Sequence, residues 1–207
     1  MAKIGEFFGI LLAVISLVGV AEAKTVSKTV TETVGVVAGG GKSLGECYYA
    51  QTSVSGRNSE TVDQTKLVTS HTHASVSLVL YYTCGGGGGF KNVFEITGND
   101  NLKTGDLVVA DDRRTAWLKK SMLVEKDGYW YSIEVDIAII ADGEPFFSDN
   151  KNKSWSGSKA FQQTTQTKSQ YHSGQVFGAV TVSGFNYLDN GFGYVFSEHS
   201  SSVVTNK

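Results

Sequence analysis

Between Tyr129 and Ile140 apolar and polar side chains alternate: Tyr129, Tyr131, Ile133, Val135, Ile137 and Ile139 face one way, Trp130, Ser132, Glu134 and Asp136 the other. A period of two belongs to an extended strand buried on one face, because a helix would scatter these residues around its circumference. Just upstream, Lys126-Asp127-Gly128 supplies a tight turn. Before it, Ala116, Leu118, Met122 and Val124 form another one-sided apolar row. The stretch from Ala116 to Ile140 therefore reads as a β-hairpin. The same rule applies from Lys66 to Cys84, where Ala74, Val76, Leu78, Leu80, Tyr82 and Cys84 share a face opposite His71, His73, Ser75 and Ser77. Nowhere does the three-to-four spacing of a long amphipathic helix persist. The expected fold is all-β, a single-domain antiparallel β-sandwich or jelly roll of about eight to ten strands.

A chain of 207 residues with 41% hydrophobic content is long enough for one sizeable core. Charged residues make up 18%, below the average of about 25%, while Gly, Ser and Thr abound, an extracellular β-protein composition. A net charge of -2 without a basic run leaves no electrostatic footprint for nucleic acid. Residues 1–23 read as a secretory signal, with Lys3, an apolar run from Phe7 to Val20, and the small-residue site Ala21-Glu22-Ala23. That run is shorter than the roughly 18 residues a spanning helix needs, so no membrane span is expected in the mature protein. The expected location is secreted, extracellular or at the cell surface.

Residues 24–41 form an extended N-terminal strand followed by the glycine break Gly39-Gly40-Gly41, and residues 42–207 the β-sandwich domain. Thr-Val recurs through the strand, and Val26, Lys28, Val30, Glu32, Val34 and Val36 share one face. Three arrangements fit: an edge strand of its own sheet, blunted by Lys28 and Glu32; a strand donated to a neighbouring subunit; or a disordered tail. In layout, a cleaved leader, a Thr/Val strand, a glycine break and a compact β-domain, the chain resembles donor-strand pilins and other β-rich extracellular filament subunits. The resemblance implies self-association into a homopolymer, with Val26, Val30, Val34 and Val36 as the interacting residues.

Cys47 and Cys84 are the only cysteines, and in an oxidising compartment they are expected to pair. The alternation directs Cys84 inward. Gly85 to Gly89 marks a loop, and without a following Lys-Ser/Thr it is no phosphate cradle. Arg57-Asn58-Ser59, Gly98-Asn99-Asp100-Asn101 and Asn190-Gly191 read as turns, Ser148 to Lys159 as an exposed loop containing the glycosylation-type triplet Asn152-Lys153-Ser154, and Phe161 to Lys168 as an edge strand. A Ser-rich tail closes the chain.

Four constellations could carry chemistry. Glu134 and Asp136 lie about 7 Å apart along one strand face, a scale at which paired carboxylates hydrolyse glycosides. His71 and His73 share a face at a spacing that binds zinc or copper, with His172 or His199 as further ligands. Trp130 and Trp155, set among Ser132, Ser154 and Ser156, are candidates for stacking on sugars, with Trp117, Tyr187, Phe192 and Tyr194 behind them. The N-terminal valines complete the set. No cofactor is expected. The functional expectation is a secreted structural or interaction protein, a subunit of an extracellular β-rich assembly joined by strand donation; the alternatives are a glycan-binding module or adhesin and a glycan-active jelly-roll enzyme.

Overall fold

The computed structural model describes residues 24–84, 89–157 and 160–206, so the signal expected in residues 1–23 and most of the glycine run lie outside the described residues. Those described form eleven strands: β1 (Lys24–Ser43), β2 (Tyr48–Val62), β3 (Val68–Tyr82), β4 (Lys91–Asp100), β5 (Leu107–Val109), β6 (Thr115–Lys126), β7 (Tyr129–Ala141), β8 (Phe146–Ser156), β9 (Phe161–Val182), β10 (Phe185–Asn186) and β11 (Asn190–Asn206). The fold is all-β, antiparallel and single-domain, as the alternation requires. All strands belong to one sheet, ordered β4-β3-β2-β1-β11-β9-β7-β6-β5, with β8 and β10 added along β9.

The sandwich arises because this sheet curls over on itself. A Cβ placed on Gly56 of β2 would sit 3.0 Å from Leu118 Cδ1 of β6, although four strands separate β2 from β6 in the sheet order. Inward-facing residues from both halves, among them Val36, Val54, Val76, Leu118, Ile133, Ile137, Val180 and Val195, fuse into one buried cluster. Lys120 closes the seam. Facing inward from β6 and nearly buried, its ammonium donates to the Asn101 carbonyl at 2.6 Å and pairs with Asp100 Oδ2 at 2.8 Å and Asp106 Oδ2 at 3.4 Å. A buried charge is tolerated only with such partners, so Lys120 ties the β4–β5 connection to β6.

The hairpin forms as expected, with Asp127 (φ 54) and Gly128 (φ 81) both in the left-handed region that a two-residue turn demands. Cys47 and Cys84 are bonded, their Cα atoms 4.9 Å apart. Cys84 is exposed rather than inward, because β3 ends at Tyr82 and the residues beyond it no longer follow the alternation of the strand.

Several expected turns and loops are strand. Arg57, Asn58 and Ser59 continue β2, paired with Gly35, Val34 and Thr33 of β1 on one side and with β3 on the other. Gly98 and Asn99 continue β4, and Asn190 and Gly191 open β11. The expected loop after Ser148 is β8. Phe161 to Lys168 is an interior part of β9, flanked by β8 and β11, and the Ser-rich tail is the end of β11. Together the far halves of β1, β2, β11 and β9 with β8 make a polar ribbon beyond the core, knit by hydroxyl and amide contacts such as Thr31–Thr61 and Thr33–Ser59, both 2.9 Å, and Gln163 Nε2 donating to Ser202 Oγ at 2.9 Å. Ladder pairing, on both sides of β2 and β9 and on one side of β4 and β8, overrides the turn preference of Asn, Ser and Gly here.

Candidate functional site

β1 lies inside the sheet, with β11 along one edge and β2 along the other, so the edge-strand expectation is corrected. Its even-numbered residues turn toward the core: Val36 is buried, Val34 and Val30 partly so, and Val26, beyond the core, is exposed. Its odd-numbered residues face outward, and there the sequence places Val37, Gly39 and Gly41. The run read as a flexible break is ordered strand.

With no side chain on Gly39, a groove of about 830 Å³ opens along β1. The pairing registers fix its walls. Gly39 lies between Phe192 of β11 and Ser53 of β2, Gly41 between Asn190 and Gln51, and Val37 between Tyr194 and Ser55. Tyr49 closes one end with its ring over Gly41, where a Cβ would collide with it. A Cβ at Gly39 would meet nothing nearer than the Thr52 carbonyl at 3.4 Å, so this glycine holds space open without being required by the backbone. Wall to wall the groove spans two strand spacings, about 10 Å.

One wall is aromatic and the other hydroxyl and amide. Phe192 is 63% exposed, and Tyr194 is propped by its neighbours, with ring centroids 5.7 Å from Tyr171 and 6.3 Å from Phe196. No residue lining the groove carries a formal charge. Further along β1 a smaller hollow of about 260 Å³ continues the line between Arg57 and Glu198, floored by Val37 and Thr33. Glu198 is held there by Tyr171 Oη at 3.2 Å and Ser169 Oγ at 3.3 Å. Along the groove the backbone of β1 is engaged by β2 and β11 on both sides, so a ligand here contacts side chains and ring faces and gains no strand-type hydrogen bonds.

The other candidates scatter. Glu134 and Asp136 project from the outer face of β7, and Asp136 pairs with exposed Lys119 at 3.0 Å. His71 and His73 face outward on β3, whereas His172 is buried in β9 and His199 pairs with Glu32 on the opposite face of the sheet. Among the described residues no group of three His, Cys, Asp or Glu could hold a metal ion. Trp130 is 69% exposed at the hairpin tip and Trp155 sits on β8, both away from the groove. Of the sequence candidates the structure brings together Phe192 and Tyr194, and adds Gly39, Tyr49, Gln51 and Ser53.

No protein-family profile matches the chain, and no curated protein matches it. One solved structure, a protein of Nitrosomonas europaea provisionally named AttH, aligns with 87% of this chain at 7% identity. The chain spans about half of that protein (52%), and the TM-score of 0.27 is too low to establish a shared fold. Among the described residues no helix is long and apolar enough to cross a membrane.

Proposed function

We propose that this protein is a secreted glycan-binding module whose groove along β1 takes an extended, uncharged polysaccharide segment. The observation that carries this is the pairing of an aromatic wall, Phe192 and Tyr194, with a polar wall, Gln51 and Ser53, across a floor cleared by Gly39. Sugar rings present an apolar C–H face and a rim of hydroxyls, and the two walls offer a stacking surface and hydrogen-bonding groups to match. The absence of charge along the lining favours neutral over acidic glycans, because a uronate would lose hydration without gaining a cation. Secretion agrees with the Cys47–Cys84 bridge and the leader-like sequence ahead of Lys24.

Strand donation by β1 would require this strand to leave the slot between β2 and β11, to which the sequence between Ser43 and Tyr48 ties it closely. The glycan reading needs no such rearrangement. Its test is a glycan array followed by titration of any hit against variants. Phe192→Ala should weaken binding about tenfold, the loss of roughly 50 Å² of ring contact at about 25 cal/mol per Å². Gly39→Ala, which the backbone accepts, should weaken it comparably by raising the floor. Trp130→Ala should leave it unchanged. Binding that survives Phe192→Ala and Gly39→Ala but is lost with Trp130→Ala or Trp155→Ala would move the site off the groove and overturn the proposal.

A further inference from the structure

The outer edge of β8 stands out among the surfaces away from the groove. β8 pairs with β9 without interruption, from Phe146 opposite Tyr171 to Ser156 opposite Phe161, and no other described strand lies against its second edge. An edge of eleven residues with no bulge is a template for another strand, and proteins usually blunt such edges with proline, kinks or unmatched charge. Here Pro145 precedes the strand, and the charges along it are of both signs: Asp149, Lys151 and Lys153.

Those charges are self-complementary. Two copies of β8 meeting antiparallel about a two-fold axis at Asn150 place Asp149 of each copy opposite Lys151 of the other, twice by symmetry, and Lys153 opposite Phe147. All these residues are odd-numbered and share one face of the strand, as strand pairing requires. Shifting the axis to Lys151 still sets Asp149 against Lys153 twice but adds Lys151 against itself, a like-charge pair absent from the Asn150 register, which is therefore the more favourable. Asp149 and Lys151 are both exposed; Asp149 accepts from Gln166 Nε2 of β9 at 3.0 Å and would turn from it to meet the second copy.

We infer that two copies of this protein associate through β8, pairing edge to edge about Asn150 so that their sheets become one. The partner is a second copy of this chain and the contact is isologous, so it closes at two. Such a dimer holds two β1 grooves on one continuous sheet and would bind a polymeric ligand bivalently.

Sedimentation velocity over a concentration series tests it. Wild type should show a concentration-dependent monomer–dimer equilibrium. Asp149→Lys alone and Lys151→Asp alone should each weaken dimerisation about tenfold or more, since two attractive pairs become repulsive. The double exchange Asp149→Lys with Lys151→Asp should restore it. Because these side chains are exposed, circular dichroism should report unchanged folding in all three. A strictly monomeric wild type, a dimer indifferent to either single change, failure of the double exchange to restore pairing, or open-ended polymers in place of dimers would each overturn the inference.

Discussion

Gly56 and Leu118 test the closure of the sheet directly. If the sheet lay open, the five strand spacings from β2 to β6 would hold these residues about 24 Å apart, and changes at the two positions would add independently. In the curled sheet a methyl on Gly56 comes within 3.0 and 3.1 Å of the two terminal carbons of Leu118, a side chain only 1% exposed. Gly56→Ala gains about 0.5 to 1 kcal/mol from a stiffer unfolded chain but over-packs the core at a cost of about 1 to 3, a net loss of up to about 2.5 kcal/mol. Leu118→Ala should cost about 2 to 5 kcal/mol through lost burial and the cavity left behind. In the double variant the new methyl enters that cavity, so the combined loss should fall short of the sum by about 1 kcal/mol or more. Urea unfolding of all four proteins supplies the cycle. Additivity within about 0.5 kcal/mol would refute the facing of β2 and β6. Gly98→Ala offers a comparison, since its methyl would press closer on Met122 Sδ than that of Gly56→Ala on Leu118 and would also meet Val124 Cγ2 at 3.0 Å and Ile133 Cδ1 at 3.3 Å, so it should cost at least as much.

Two further outcomes are expected. The Lys120 ammonium holds the Asp100 carboxyl below its ordinary value of 3.8, with the Asn101 N–H assisting, and hydrogen bonding to Asp100, opposed by desolvation and reinforced by Asp106, raises Lys120 above 10.5. The depressed acid contributes stability that is present above its unfolded value and lost as pH falls through the folded one; the raised base contributes stability present below 10.5 and lost as pH rises through the folded value. The stability lost in Lys120→Met should therefore be largest between about pH 5 and 9 and shrink on both sides, and a loss independent of pH in chemical denaturation would count against the ion pair. Replacing Cys47 and Cys84 together by Ala opens a loop of 37 residues and should lower stability by up to about 4 kcal/mol, so an unchanged urea midpoint would show that the bridge does not constrain the unfolded chain.

The hairpin of β6 and β7 was legible because its main signals agreed: strict alternation on β7, an apolar row on β6 interrupted only by Lys120, and an Asp-Gly pair suited to positive φ. β8 and the end of β11 were not, since strands with polar residues on both faces leave no period-two pattern of hydrophobicity to detect. Asn58 and Ser59 read as a turn until β1 and β3 were seen to pair on either side of them. The groove was hidden for the same reason in a stronger form. Gly39 and Gly41 act as a floor only because Phe192 and Ser53, which approach from opposite ends of the chain, settle on either side of Gly39. A glycine run carries the same letters whether it is a hinge or a surface; what flanks it in space decides.

The pairing of β1 with β11 also sets the order of events during folding. β2 and β3 can zip onto β1 as soon as they are made, but the other edge of β1 waits for a strand that begins at Asn190. Until that last strand arrives, a long row of β1 amides and carbonyls stays open, and closing it joins residues nearly a full chain length apart, with Lys24 opposite Asn206. Contacts of that separation make folding slow, so the nascent protein passes through a lengthy interval in which β1 is competent to capture the final strand of another molecule. Crowded refolding should accordingly yield exchanged oligomers that dilute refolding avoids, and the finished fold removes that hazard by burying the strand at its centre.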